Sequence, residues 1–140
     1  MRTDHVIALI ARNRRQAHRF IGRELDRRGI RGLAPSHGAI LSTLYERGPI
    51  CMQDLARRID RDKSTVTALV KRLVAAGYLR TGKEAGDSRR TIVRLTAKGR
   101  SLKPEFDDIS RKLISRALKG FSRPERQALV GGLSRMLENW

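Results

Sequence analysis

Apolar residues recur at helical intervals from the start of the chain. Val6, Ile10, Ala17, Ile21 and Leu25 form a stripe, with Ile7, Leu9 and Phe20 beside it. That spacing predicts a helix over about 4–28. Gly29 and Gly32 punctuate a loop, and Pro35 suits the first turn of a second helix. This helix buries Ile40, Leu41 and Leu44 and ends near Gly48-Pro49. A short third helix over 52–59 carries Leu55, Ala56 and Ile59. A fourth, over 63–76, places Val66, Leu69, Val70 and Leu73 at i, i+3, i+4 and i+7, and Gly77 stops it. The period then shortens to two. Residues 78–81 and 91–95 read as strands, with Val93 and Leu95 on one face and Ile92 and Arg94 on the other. Between them, 82–90 reads as a loop with turn chemistry and an exposed basic tip. Helical spacing returns after Thr96, a good N-cap, and runs to about Leu118, with Pro104 on an exposed or kinked turn or at a break. Ser122-Arg123-Pro124-Glu125 is a capping box. It opens a last helix bearing Leu129, Val130, Leu133, Met136, Leu137 and Trp140.

Two helices across a tight turn, followed by a basic hairpin, make the layout of a winged helix-turn-helix: mainly α, with a small β-hairpin wing. Such a layout meets double-stranded DNA with one helix and one loop. With Val66, Leu69, Val70 and Leu73 pinning the fourth helix to the domain, Ser64, Thr65, Thr67, Ala68 and Lys71 face outward and Arg72 lies at the flank. That face is mostly small and polar, so the helix fits a major groove about 12 Å wide. Hydroxyls can reach base edges or phosphates, Ala68 and the threonine methyls can touch thymine methyls, and Lys71 and Arg72 can reach phosphate or guanine. Lys63 opens the same helix.

Charge sharpens the picture. The 31 Lys+Arg against 14 Asp+Glu give a formal net charge of +17, and a field of that sign favours a polyanion through counterion release. From Ser88 to Pro104 there are six basic residues and no acid. No run of about 18 apolar residues suggests a membrane span, and one cysteine permits no internal disulfide, so the expected compartment is the cytoplasm. Three scattered histidines, no phosphate-cradling glycine loop and no Cys-x-x-Cys or His-Glu-x-x-His spacing argue against an enzyme, a metal or another cofactor. A sequence-tolerant architectural protein that coats nucleic acid remains the alternative. RNA binding would more naturally use exposed aromatics, and these are 4% of the chain.

Several runs taken together resemble the MarR family of winged-helix transcriptional regulators. They are Asp54-Leu55-Ala56, Asp62-Lys63-Ser64-Thr65-Val66-Thr67, Leu73-Val74-Ala75-Ala76-Gly77-Tyr78-Leu79, Asp87-Ser88-Arg89-Arg90 and Leu95-Thr96-Ala97-Lys98-Gly99. The resemblance implies that Ser64, Thr65, Thr67, Lys71 and Arg72 face DNA and that Arg89 enters the minor groove. It also implies that Asp87 fixes the wing and orients that arginine. A narrow A·T-rich minor groove concentrates negative potential, which suits Arg89; Arg90 is a candidate phosphate contact. Two departures stand out. The turn before the fourth helix has Asp60-Arg61 where the family has glycine and an apolar residue. Aspartate tolerates left-handed backbone, and Arg61 either contacts phosphate or is solvated. Cys51 stands where the third helix would have a Ser or Thr cap. It reads as a weak cap or buried filler, or as a thiol activated at a helix N-terminus.

One recognition helix reads few base pairs, so such proteins pair to read two half-sites of a near-palindrome. The apolar stripes of the terminal helices exceed what one small winged domain can cover. The resemblance implies that they form a homodimer. Val6, Ile7, Ile10, Ile109, Leu113, Leu129, Leu133, Met136 and Trp140 are the candidates. The expected organisation is a helical dimerisation lobe over 1–34 and 97–140 and a winged lobe over 35–96. The resemblance also implies promoter repression and release by a small anionic or phenolic ligand held between the lobes. No aromatic-lined pocket is evident for it, and His37 and Arg14 are the polar candidates, His37 reading better as structural.

Overall fold

The computed structural model describes residues 2–140. A 3-10 turn, Thr3–His5, leads into α1 (Val6–Arg27), and another, Pro35–His37, into α2 (Gly38–Arg47). Then come β1 (Ile50–Cys51), α3 (Met52–Arg58), α4 (Lys63–Ala75), β2 (Leu79–Glu84) and β3 (Asp87–Leu95). Helices α5 (Ala97–Ser101), α6 (Lys103–Ala117) and α7 (Arg123–Glu138) complete the chain. No described helix is long and apolar enough to cross a membrane.

The winged lobe closes around one core. Ile40, Leu41 and Leu44 of α2, Leu55 of α3, Val66, Val70 and Leu73 of α4, and Leu79 and Val93 of the hairpin are all essentially inaccessible to solvent. The helical periods predicted the positions in α2, α3 and α4, and Leu69 and Ile59 pack at the margin of the same cluster. The sheet has three antiparallel strands in the order β1-β3-β2. Strand β1 was not predicted. It is two residues long and pairs Ile50 with Val93 and Cys51 with Ile92. Both hairpin strands also run further than expected, into what reads as loop, leaving Ala85-Gly86 at the turn. Gly86 has φ +83°, the left-handed backbone that a tight hairpin turn asks of glycine.

Two sequence signals acquire a physical cause. Asp60 is the one described non-glycine residue with positive φ, at 54°. The α3–α4 turn therefore takes left-handed backbone at Asp60 without a glycine. Gly99 is buried, and a Cβ there would sit 2.2 Å from the Tyr78 carbonyl oxygen. The Gly99 carbonyl also accepts from the Tyr45 hydroxyl at 2.7 Å, and the Thr96 side chain caps α5 by accepting from the Gly99 N–H. The Leu-Thr-Ala-Lys-Gly run is thus a docking segment that fastens α5 to the base of the wing. Helix α5 accordingly belongs with the winged lobe, and Leu102, buried in that core, marks the join. The expected single helix over 97–118 is two helices. Pro104 lies in the first turn of α6, where its missing N–H is no loss.

The second lobe hangs on an ionic clamp. Arg28, beyond the end of α1, reaches Glu105 and Asp108 of α6 at 2.5 Å each and lies 3.6 Å from buried Glu24. Lys112 joins Glu24 at 3.7 Å. Hydrogen bonds from Arg28 hold the Asp108 carboxyl below its ordinary value. Helix α7 opens on the predicted capping box: Ser122 Oγ accepts from the Glu125 N–H and Glu125 Oε1 from the Ser122 N–H. None of its residues is buried.

Helix α4 starts at Asp62. Its carboxylate accepts from the Thr65 N–H at 3.2 Å and from the Thr65 hydroxyl at 2.6 Å, and from the Ser64 hydroxyl. These bonds favour the ionised form and bring its pKa down to about 2. Because the folded value is depressed, the stability it contributes is present above the ordinary carboxylate range and fades as pH falls toward 2. Asp62→Ala is therefore expected to lower the melting temperature at pH 7, with the gap to the parent closing between about pH 4 and pH 2. A gap independent of pH would show that the cap is not ionic. Gly99→Ala is expected to cost about 2 kcal/mol or more in urea unfolding, since the obstructing atom is backbone.

Candidate DNA-binding site

An open groove of about 780 Å³ lies between α4 and the wing. Lys63, Thr67 and Lys71 line it from the helix, and Asp87, Arg89 and Thr91 from the hairpin. On a helix advancing 100° per residue, Ser64 and Ala68 stand on the rim of this surface. Both are exposed, as are Lys63 and Lys71. The structure thus brings together most of the residues expected to meet DNA. Thr65 and Arg72 fall on the flank away from the wing. There Arg72 is close enough to His37 to help lower its pKa, behind the larger effect of burial.

The hydroxyls of the helix are already engaged as donors. Ser64 and Thr65 donate to Asp62, and Thr67 donates to the Lys63 carbonyl at 2.7 Å. Toward an incoming base they therefore present lone pairs, which suits the amino groups of adenine or cytosine. Lys71 and Lys63 are left as the helix's own cations for phosphate or guanine. Arg61, in the turn ahead of Asp62, is exposed and has no ion-pair partner among the described residues.

The wing tip explains the behaviour of Arg89. The ladder runs regularly from Leu79↔Leu95 to Lys83↔Thr91 and then jumps to Glu84↔Asp87, so Ser88, Arg89 and Arg90 bulge from β3. The Arg89 side chain is 95% exposed. Asp87 Oδ1 accepts from the Arg89 N–H at 3.0 Å and lies 3.8 Å from its Nε. The acid thus braces the backbone of the bulge and lies beside the guanidinium.

Arg90 is a correction. Its guanidinium turns back into the protein, donating to Cys51 Sγ at 3.2 Å and pairing with Glu84 at 3.1 Å and Asp54 at 3.8 Å. It ties the wing to the start of α3 and is not left free for phosphate. Cys51 is buried under it and makes no side-chain cap, which fits the filler reading.

A second concavity, about 300 Å³, lies between the lobes. Ile21, Leu25, Leu102, Phe106, Ile109 and Leu113 surround it, and Ser42 and Ser110 are its hydroxyls. No charged residue lines it, and neither His37 nor Arg14 reaches it. His37 is structural: its Nδ1 accepts from the Ala34 N–H at 3.0 Å and shapes the entry to α2. Ile109 is a second correction. It is buried within its own chain, where it helps wall this cavity, and so does not face a partner.

A model of the MarR family matches residues 31–90, the stretch from the approach to α2 through the wing bulge. The chain is 30% identical over 108 residues to the uncharacterized HTH-type transcriptional regulator YdgJ of Bacillus subtilis, covering 77% of this chain and 66% of that protein. It is 30% identical over 99 residues to the HTH-type transcriptional repressor IacR of Pseudomonas putida, covering 71% of this chain and 57% of that one. The chain spans about half to two thirds of the length of the curated relatives it matches. Among solved structures, a probable transcriptional regulator from Pseudomonas aeruginosa superposes with a TM-score of 0.81 at 29% identity, covering 96% of this chain and 99% of that one. The winged helix, the braced wing arginine and these similarities agree: the chain belongs to the MarR family.

Proposed function

We propose that this protein is a homodimeric, sequence-specific DNA-binding repressor of promoters. The observation that carries the reading is the single groove into which α4 and the wing bulge both project, Lys63, Thr67 and Lys71 on one wall and Arg89 on the other. A helix in the major groove places Lys71 at phosphate or guanine, and the wing then reaches the neighbouring minor groove with Arg89. The bound dimer would block promoter access, in keeping with a relative that is named a repressor.

Pairing is supported by what the protomer leaves uncovered. Helix α7 exposes Leu129, Val130, Leu133 and Leu137 along one stripe, Trp140 is exposed just beyond its end, and α1 exposes Val6, Ile7 and Ile10. Met136 is half-buried and Leu113 is shared with the interlobe cavity. A helix of this length gains too little from its own hydrogen bonds to stand alone in water. A contiguous apolar surface of this kind marks an interface, and a second copy of the same helices covers it. Action on promoter DNA is in keeping with a cytoplasmic protein.

The interlobe cavity also supports release by a ligand, of a different kind from the one anticipated. Burying an anion there would leave its charge uncompensated, so the lining favours a neutral apolar effector that hydrogen-bonds to Ser42 or Ser110. Calorimetric titration with benzyl alcohol and with benzoate separates the two; heat from benzoate alone would contradict the neutral reading.

Arg89→Ala is expected to cost about 1–3 kcal/mol on a specific site and to relax A·T preference at its outer positions. An equal loss on every sequence would count against the minor-groove role. Lys71→Ala is expected to reduce the salt slope of binding by about 1. Leu133→Asp is expected to shift the sedimenting species from dimer to monomer; an unchanged dimer would remove α7 from the interface.

A further inference from the structure

The wing sheet has two faces. Leu79 and Val93 turn inward to the core, and alternation sends Arg80 and Arg94 to the opposite, exposed face. The register sets these two arginines directly across from each other on β2 and β3. Like charges in that relation disfavour the strand pair. Neither arginine has an acidic partner among the described residues, and the two acids of the strand pair are engaged elsewhere, Glu84 by Arg90 and Asp87 by Arg89. Arg100 of α5 adds a third cation. It shares a shallow concavity with Arg80, and its guanidinium is held at the Leu95 carbonyl, 3.1 Å away.

The neighbouring position is equally telling. Gly82, opposite Ile92 on the same outer face, is an interior residue of the edge strand β2. A Cβ there would meet nothing within 4 Å. Glycine weakens a strand, and one in open space on an edge leaves the backbone free for close approach by a ligand. Three cations beside an uncovered backbone suit a chain of phosphates, which needs charge and close approach and no shape-specific pocket.

We propose that Arg80 and Arg94, with Arg100 beside them, form a second phosphate-binding patch, which takes the backbone of duplex flanking the segment held by α4 and the wing tip. The patch lies four residues, about 13 Å, behind Glu84 at the tip. A straight duplex seated on the tip passes it by, and flanking duplex that curves toward the protein meets it. The patch therefore lengthens the footprint and rewards bent DNA. This inference rests on the reading that the α4–wing groove holds DNA.

The test uses the full chain and its Arg80→Thr/Arg94→Thr double variant on random-sequence duplexes of two lengths, about 20 and about 45 base pairs. The readout is the slope of log affinity against log salt. At roughly 0.9 per neutralised phosphate, the double variant should lose about 2 from the slope per protomer on the long duplex and nothing on the short one. Its melting temperature should rise, because threonine favours strands and the like-charge pair is gone. An unchanged slope on the long duplex overturns the proposal, and so does an equal loss on both lengths. A lowered melting temperature overturns it as well, since the arginines would then serve the fold. Lys71→Ala separates this from the parent reading. It should lower the slope on both duplexes, and if it lowers neither, the groove itself does not hold DNA.

Discussion

The site depends on one constraint: α4 must be gripped by a single face. Val66, Val70 and Leu73 lie in the centre of the core with no exposed surface to speak of, and Leu69 packs at its margin. Burial of this kind contributes roughly 1.5–3 kcal/mol per large aliphatic side chain. It fixes the rotation of the helix about its axis and thereby decides which residues face outward. Ser64, Ala68 and Lys71 are presented because Val66 and Val70 between them are buried. The same core holds Val93 and Leu79, so the wing is set against α4 by the interaction that orients α4 itself.

Around that grip, the polar contacts mostly position rather than recognise. Asp62 caps α4 and occupies the donor hydrogens of Ser64 and Thr65, turning two hydroxyls into acceptors. Asp87 braces a three-residue bulge so that Arg89 stands clear of the sheet. Arg90, drawn to Cys51, Glu84 and Asp54, anchors the wing to α3. Two adjacent arginines in sequence thus take opposite roles, because the bulge turns one outward and the other inward. Arg28 does comparable work at the other end of the molecule, where its clamp on Glu105 and Asp108 fixes α6 against α1.

Much of this was legible in the sequence, because the relevant signals are local. The apolar periods of α2, α3 and α4, the Gly77 stop, the Ser122 capping box and the left-handed Asp60 each depend on residues within a turn or two. What escaped depends on distant partners. Strand β1 is two residues long and exists only because β3 lies beside it. The outer hairpin strands carry arginine, lysine and glutamate without apolar alternation, so they read as loop. The fate of Arg90 is set by residues from three separate elements. Leu102 and Ile109 fall in the stretch expected as one helix, yet Leu102 packs into the winged core and Ile109 does not, while both wall the interlobe cavity. That cavity draws on the loop before α2 as well as on α1, α2 and α6, and no sequence window contains it.

The account stands or falls on whether the α4–wing surface discriminates among DNA sequences. Selection of bound duplexes from a random pool at about 150 mM salt, where phosphate contacts alone hold weakly, tests this directly. The account predicts enrichment of a near-palindrome with half-sites one helical turn apart and A·T-rich outer positions. Tight binding with no enriched sequence would contradict it and would mark the protein as a sequence-blind coat on DNA.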